Sequence, residues 1–168
     1  MGQDKWVDQQ LKNKRNGTFL DVGCHHFRNI SNTFYFESEL DWRGVGIDAN
    51  ASFEDGWKKF RKSPFICADA TKIDYNKLLK ENNMPKIIDY LSLDLEPPPV
   101  TLKALKKIFE TDFSFNCVTF ETDYYRDKTT RDESRKMFSE RGYIWMCELS
   151  NPIGPQDDYY VHERIFKT

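Results

Sequence analysis

The run Phe-Leu-Asp-Val-Gly-Cys-His at 19–25 constrains this chain more than any other stretch. Apolar residues surround an aspartate, the run ends on a glycine, and a polar turn follows. A strand buried on both faces reads as a short, nearly continuous apolar segment, and such strands belong to parallel sheets. A glycine at the end of one lets the chain turn sharply and brings the backbone close to a ligand. A second strand, Val-Gly-Ile-Asp at 45–48, ends on an acid one βαβ unit later. Open parallel sheets bind ligands in the crevice beyond the C-terminal ends of their strands. These two segments therefore select both a fold and a place for a site.

The alternation continues to the end of the chain. Helices are expected over 4–14, 32–40, 52–61, 75–81, 100–109 and 132–141. Ser31, Ser52 and Asp74 read as N-caps, and Gly142 as the stop of the last helix. Strands are expected over 19–22, 44–48, 64–68, 87–93, 116–120, 143–149 and 159–166. Between the last two lies only a loop with Pro152, Gly154 and Pro155, so they pair antiparallel. The prediction is an α/β fold: a three-layer sandwich on a mostly parallel, seven-stranded, Rossmann-like sheet that closes with a C-terminal antiparallel hairpin. Residues 1–16 read as a short N-terminal helix and 17–168 as one domain.

Composition narrows the function. The net charge of −2 argues against a protein that grips nucleic acid by charge. No apolar run is long enough to span a membrane. Cys24, Cys67, Cys117 and Cys147 form no CxxC pair and lie on or beside predicted strands. They read as small buried hydrophobes in a reducing compartment, and a cytoplasmic location is expected. The aromatics Phe53, Trp57 and Phe60, at helical spacing, read as core.

An acid stands at every parallel strand end: Asp21, Asp48, Asp69, Asp94 and Glu121. No GxxxxGK[ST] phosphate loop is present, and the turn Gly23-Cys24-His25-His26-Phe27 has one glycine where a dinucleotide fingerprint needs three. A crevice lined by acids repels pyrophosphate and suits a cationic cofactor without phosphates. S-adenosylmethionine has that character. Asp48 is placed to accept its ribose hydroxyls through charge-assisted bonds. Asp69 is placed to face the adenine amino group, with Asp21 and the Gly23 backbone near the methionyl end.

The order of segments FLDVGCHHFRNISNTFYFESELDWRGVGIDAN, ADAT, IDYLSLDLE, VTFETDYY and ERGY resembles the FkbM-type methyltransferases, a class I group that uses S-adenosylmethionine. The likeness runs from about Gly17 to His162, and SNTFYFE and LSLDLE are its most specific parts. It implies O-methylation of a sugar or natural-product hydroxyl. It implies cofactor contacts from Asp21, Gly23, Cys24 and His25, from Asp48 with Ala49, and from Asp69 with Ala70. It places Asp94 and Glu96 beside the transferred methyl group. Two features depart from the family: the first loop lacks a second glycine, and Pro-Pro-Pro-Val follows Glu96. The region before the first strand is also short. Either the acceptor side is open, or the chain is one domain of a larger polypeptide.

A sugar hydroxyl is a poor nucleophile, so a general base is expected. The candidates are Asp94 first, Glu121 on the neighbouring strand second, and His162 on the last strand third. A divalent ion held by Asp94 and Glu121 is the alternative way to activate the hydroxyl. Tyr124, Tyr125 and Arg126 are candidates for the acceptor pocket. The alternatives to a glycan O-methyltransferase are an enzyme acting on another small hydroxylated metabolite, or an inactive cofactor-binding module in a glycan-assembly protein.

Overall fold

Buried β-rich segments alternate with amphipathic ones, and each helix therefore has one side to hide. The computed structural model describes residues 2–167. Strands β1 (Thr18–Val22), β2 (Arg43–Asp48), β3 (Phe65–Cys67), β4 (Ile87–Leu93) and β5 (Ser114–Glu121) run parallel. Strands β6 (Tyr143–Asn151) and β7 (Gly154–His162) form an antiparallel hairpin, and β7 pairs antiparallel with β5. The sheet order is β3-β2-β1-β4-β5-β7-β6. The expected seven-stranded sheet with its closing hairpin is thus present.

Helices α1 (Gln3–Gln10), α2 (Phe34–Leu40), α3 (Glu54–Phe60), α4 (Tyr75–Glu81), α5 (Pro98–Phe109) and α6 (Lys128–Ser139) cover the sheet. Val7 of α1 and Phe36 of α2 pack with Phe19, Tyr90 and Val161 in one cluster. Leu79 of α4, Leu105 and Ile108 of α5 and Phe138 of α6 pack with Leu20, Val22 and Leu91 in the other. All five residues of β1 are buried, which is why that strand reads as a nearly unbroken apolar run.

Several boundaries differ from expectation, each for a local reason. Helix α1 stops at Gln10 rather than 14, because Lys12 and Asn13 both turn into the left-handed region. Helix α2 begins at Phe34, and Ser31 Oγ accepts from the Phe34 N–H ahead of it. Asn50, not Ser52, caps the segment before α3: its side chain accepts from Ser52 N–H and a 3-10 turn at 51–53 follows. Helix α5 starts two residues early, with prolines in the first turn where no N–H is needed. Helix α6 starts four residues early because Asp127 accepts from Thr129 N–H and from the Thr129 and Thr130 hydroxyls.

The hairpin is longer than its proline and glycine content suggested. Asn151 Oδ1 accepts from Ile153 and Gly154 N–H and closes a tight turn, so Pro155 lies inside β7. The last strand ends at His162, and 163–166 form a 3-10 turn. Cys24 and Cys117 are buried, but Cys67 is exposed because β3 is a three-residue edge strand, and Cys147 is half-buried. Of the aromatics expected in the core, Trp57 is fully buried, whereas Phe60 is 55% exposed and stacks on Phe27 outside it. Among the described residues, no helix is long and apolar enough to cross a membrane.

Candidate functional site

The C-terminal ends of β1, β2 and β4 open into one cavity of about 340 Å³. That lies at the small end of the roughly 300–1,000 Å³ usual for ligand pockets. Its wall takes Asp21, Gly23, Cys24 and His25 from the β1 end, Asp48 and Ala49 from the β2 end, and Asp94 and Glu96 from the β4 end. Ile30, Asn32 and Leu95 complete it. Four of these eleven residues are acids, and none is lysine or arginine. The wall attracts cations and repels anions such as phosphate.

Register explains the convergence. Val22 lies opposite both Ile47 and Leu93, so one step further along the strands Gly23 meets Asp48 on one side and Asp94 on the other. Gly23 has φ +83, and a Cβ there would stand 1.7 Å from the Asp94 carbonyl oxygen. Only glycine lets the β1 turn pass so close to the end of β4. The Gly23 and Cys24 N–H groups both donate to Ile47 O, which folds the turn toward β2.

Asp48 holds the loop it faces. Its Oδ2 accepts from His25 N–H at 2.9 Å and its Oδ1 from Asn50 N–H at 2.8 Å. A carboxylate oxygen has two lone pairs, so both oxygens keep room for a ligand hydroxyl. Asp21 is buried beneath the cavity and accepts from Thr33 Oγ1 at 2.6 Å. Burial pushes its carboxyl up to about 6 despite that bond and the charge of Arg61. Asn32 Nδ2 donates to Ser92 Oγ at 3.0 Å and ties the loop to β4. Burial pushes the Cys24 thiol far up, so it stays neutral.

The acid row continues across the sheet. Leu93 lies opposite Phe120, which brings Asp94 beside Glu121, and Glu121 lies opposite Asp157 of β7. Burial raises both Asp94 and Glu121; the charge of Asp94 and the hydrogen bond between the two raise Glu121 further, while that bond favours the ionised form of Asp94, so the pair keeps its proton on Glu121. Glu121 Oε2 is enclosed and accepts no hydrogen bond. Asp157 is pushed up to about 7 by burial and by Asp94, while Gln3 Nε2, from α1, donates to it at 2.9 Å. Three neighbouring carboxyls that share fewer than three charges can hold or release a proton near neutral pH.

Not every expected residue reaches this place. Asp69 is exposed and outside the cavity wall: it caps its own turn through Thr71 N–H and Oγ1, and those bonds hold it down to about 2. Ala70 is buried, its carbonyl bonded by Tyr75 OH. His162 is a correction. Strand β7 runs antiparallel, so its C-terminal residue lies at the far end of the sheet, against Tyr143. Asp157, near the start of β7, takes the place beside Glu121, and the direction of that strand was the signal for it.

Arg126 reaches the rim, where Nη1 bonds Glu96 Oε2 at 2.5 Å and Asp123 Oδ2 at 3.1 Å. Tyr125 is exposed, and the Tyr124 ring is covered by Arg131 at 3.3 Å. Among the described residues, Glu96, Glu121 and Asp123 offer carboxyl oxygens within 4.8 Å of one another, a possible cation cage. Arg126 already neutralises two of those three.

No family model and no curated protein sequence matches the chain. Solved structures do. The METTL16 MTase domain superposes with a TM-score of 0.66 at 13% identity, over 95% of this chain and 65% of that one. An rRNA methylase from Streptococcus thermophilus gives 0.60 at 13% identity, over 94% of each chain. The N-methyltransferase NodS from Bradyrhizobium japonicum WM9, in complex with S-adenosyl-L-homocysteine, gives 0.58 at 11% identity over 96% of this chain and 85% of that one. These likenesses define the fold: the chain has the Rossmann-like architecture of methyltransferases.

Proposed function

We propose that this protein is an S-adenosylmethionine-dependent methyltransferase acting on a hydroxyl of a sugar or glycan. The observation that carries the cofactor is the cavity wall: Asp21, Asp48, Asp94 and Glu96 with no lysine or arginine, at the strand ends of a methyltransferase fold. That donor set fits a sulfonium, an ammonium and a ribose diol, and does not fit a polyphosphate. Asp48 would take the diol and Asp21 the ammonium. The bound cofactor supplies an electrophilic methyl group.

The chain's own residues do the rest. A hydroxyl must give up its proton as its oxygen attacks, and a carboxyl pair that carries one proton offers a carboxylate to receive it. Asp94 and Glu121 are that pair, with Asp157 behind them. Much of the acceleration in such a displacement comes from alignment, which falls to the rim: the exposed Tyr125 ring and the Arg126 guanidinium suit a saccharide. The FkbM-like order of segments supports a hydroxyl as acceptor.

Two measurements test this. Calorimetric titration with S-adenosylmethionine and S-adenosylhomocysteine should show binding of both, and binding of neither sinks the reading. Mass spectrometry of a glycoside panel incubated with cofactor should show methylated product. Cofactor binding with methylation of RNA or of an amine instead would overturn the acceptor and leave the cofactor.

A further inference from the structure

Arg61 lies outside the cavity and outside every motif of the sequence, yet its side chain is 1% exposed. It follows α3 directly and reaches back to the loop after β1. Nη1 donates to Phe27 O at 3.0 Å and lies 3.4 Å from Ser31 Oγ. Nη2 donates to Thr33 Oγ1 at 3.1 Å. Nε lies 3.1 Å from Glu37 Oε2 of α2, itself buried, and the guanidinium stacks on Trp57 at 4.0 Å. Trp57 in turn donates its ring N–H to His25 O at 3.0 Å.

The chain of contacts ends inside the cavity. Thr33 Oγ1 accepts from Arg61 and donates its own proton to Asp21 Oδ2. One buried cation therefore fixes the backbone of the loop at Phe27 and, through a single hydroxyl, the orientation of the carboxylate under the cavity. A planar fork suits this task, since it serves several acceptors in fixed directions where a lysine serves as a point charge. The loop has one glycine and needs an external brace: His25 and Ile30 both sit at positive φ.

We propose that Arg61 is the positioning residue of the cofactor loop, holding residues 25–33 and, through Thr33, the carboxylate of Asp21 in the arrangement that receives the cofactor's ammonium end. This rests on the methyltransferase reading above. Arg61 acts through Thr33 and touches no ligand.

The test uses the full chain with two variants that leave Glu37 paired. Arg61→Lys keeps a cation but loses the fork, and Thr33→Val cuts the link to Asp21. S-adenosylhomocysteine is titrated by calorimetry across about pH 5 to 8, the range around Asp21, and hydrogen exchange of 24–33 is followed without ligand. Both variants should weaken binding by at least about tenfold, the loss expected for one hydrogen bond to a charged group. Wild-type binding should fall as pH drops through about 6, where Asp21 takes up its proton. Thr33→Val should move that fall to higher pH, since the Thr33 hydroxyl favours the charged form, and Arg61→Lys, which keeps the charge, should move it less. Arg61→Lys should also speed exchange in the loop. Unchanged affinity and pH profile in both variants overturns the proposal, even if thermal stability drops. A wild-type chain that binds no S-adenosylhomocysteine refutes the cofactor reading instead, and the exchange rates then decide the bracing role alone.

Discussion

The carboxyl groups of Asp94 and Glu121 stand side by side at the ends of neighbouring parallel strands, each raised by burial, and Asp94 raises Glu121 further through its charge and a shared hydrogen bond. Such a pair holds one proton where two isolated acids would hold none at neutral pH. It can act as a base and still carry an acid.

Asp94→Asn and Glu121→Gln should each lower turnover by roughly 10²–10⁴, the usual contribution of a positioned base. Affinity for S-adenosylhomocysteine should change little. Equal losses in turnover and cofactor affinity would assign the two acids to binding rather than to proton transfer.

The same pair makes stability depend on pH. The folded chain keeps a proton that the unfolded chain releases above its ordinary carboxylate pKa, so the folded state binds more protons at neutral pH. Stability must then fall as pH rises from about 5 toward the raised values. Glu121→Gln removes much of this and should flatten the melting temperature between pH 6 and 9, raising it at the alkaline end. A variant whose profile still follows wild type would show that Glu121 ionises freely in the folded chain.

Gly23→Ala should be among the most damaging single changes. The methyl group would collide with the Asp94 carbonyl, and φ of +83 disfavours any side chain. A loss above about 3 kcal/mol is expected from strain and displacement together, read from urea unfolding. A midpoint equal to wild type would mean that the β1 turn does not sit against β4.

Gln3 closes a buried network: its amide N–H₂ donates to Asp157 and its carbonyl accepts from Thr119 Oγ1 at 3.1 Å. Gln3→Leu leaves a buried carboxyl and a hydroxyl short of partners and should cost about 1–3 kcal/mol. It should also raise Asp157 further, because Gln3 favours the charged form. NMR titration of the aspartate carboxyl carbons checks the shift, and an unmoved Asp157 would contradict the contact.

Arg126 already balances two carboxylates of the acidic rim, so an added cation must displace it. Chelator treatment is expected to leave turnover unchanged. Arg126→Ala should barely change the melting temperature, since exposed ion pairs contribute about 0–1 kcal/mol, but should raise KM for the acceptor. Loss of turnover with chelator, restored by a divalent ion, would place a metal among Glu96, Glu121 and Asp123.

The acids of β1, β2 and β4 were legible in the sequence for a geometric reason. Parallel strands all finish on one side, so the last residue of each strand is also its place in the sheet. The same rule fails at His162, because in the antiparallel hairpin β7 runs against β5 and its last residue lies at the opposite end of the sheet. Asp69, beyond an edge strand of three residues, is exposed and caps the next turn instead of lining the cavity. Asp157, Gln3 and Arg61 were invisible for another reason. Their roles depend on single contacts between distant segments, 154 residues apart for Gln3 with Asp157 and 28 for Arg61 with Thr33. Such contacts leave no periodicity to read.

Strand β7 lies between β5 and β6, although it is the last of the three in the chain. While the polypeptide is being made, β5 remains an open edge until residues 154–162 have left the ribosome. Helices α4 and α5 can dock on the parallel half before then, but Phe120, Tyr160 and Phe138 come together only once β7 is available. Segment 154–162 is therefore the one that seals the sheet and, with Asp157, completes the acid row. A nascent chain gains its last core contacts and its candidate proton-handling residues in the same event.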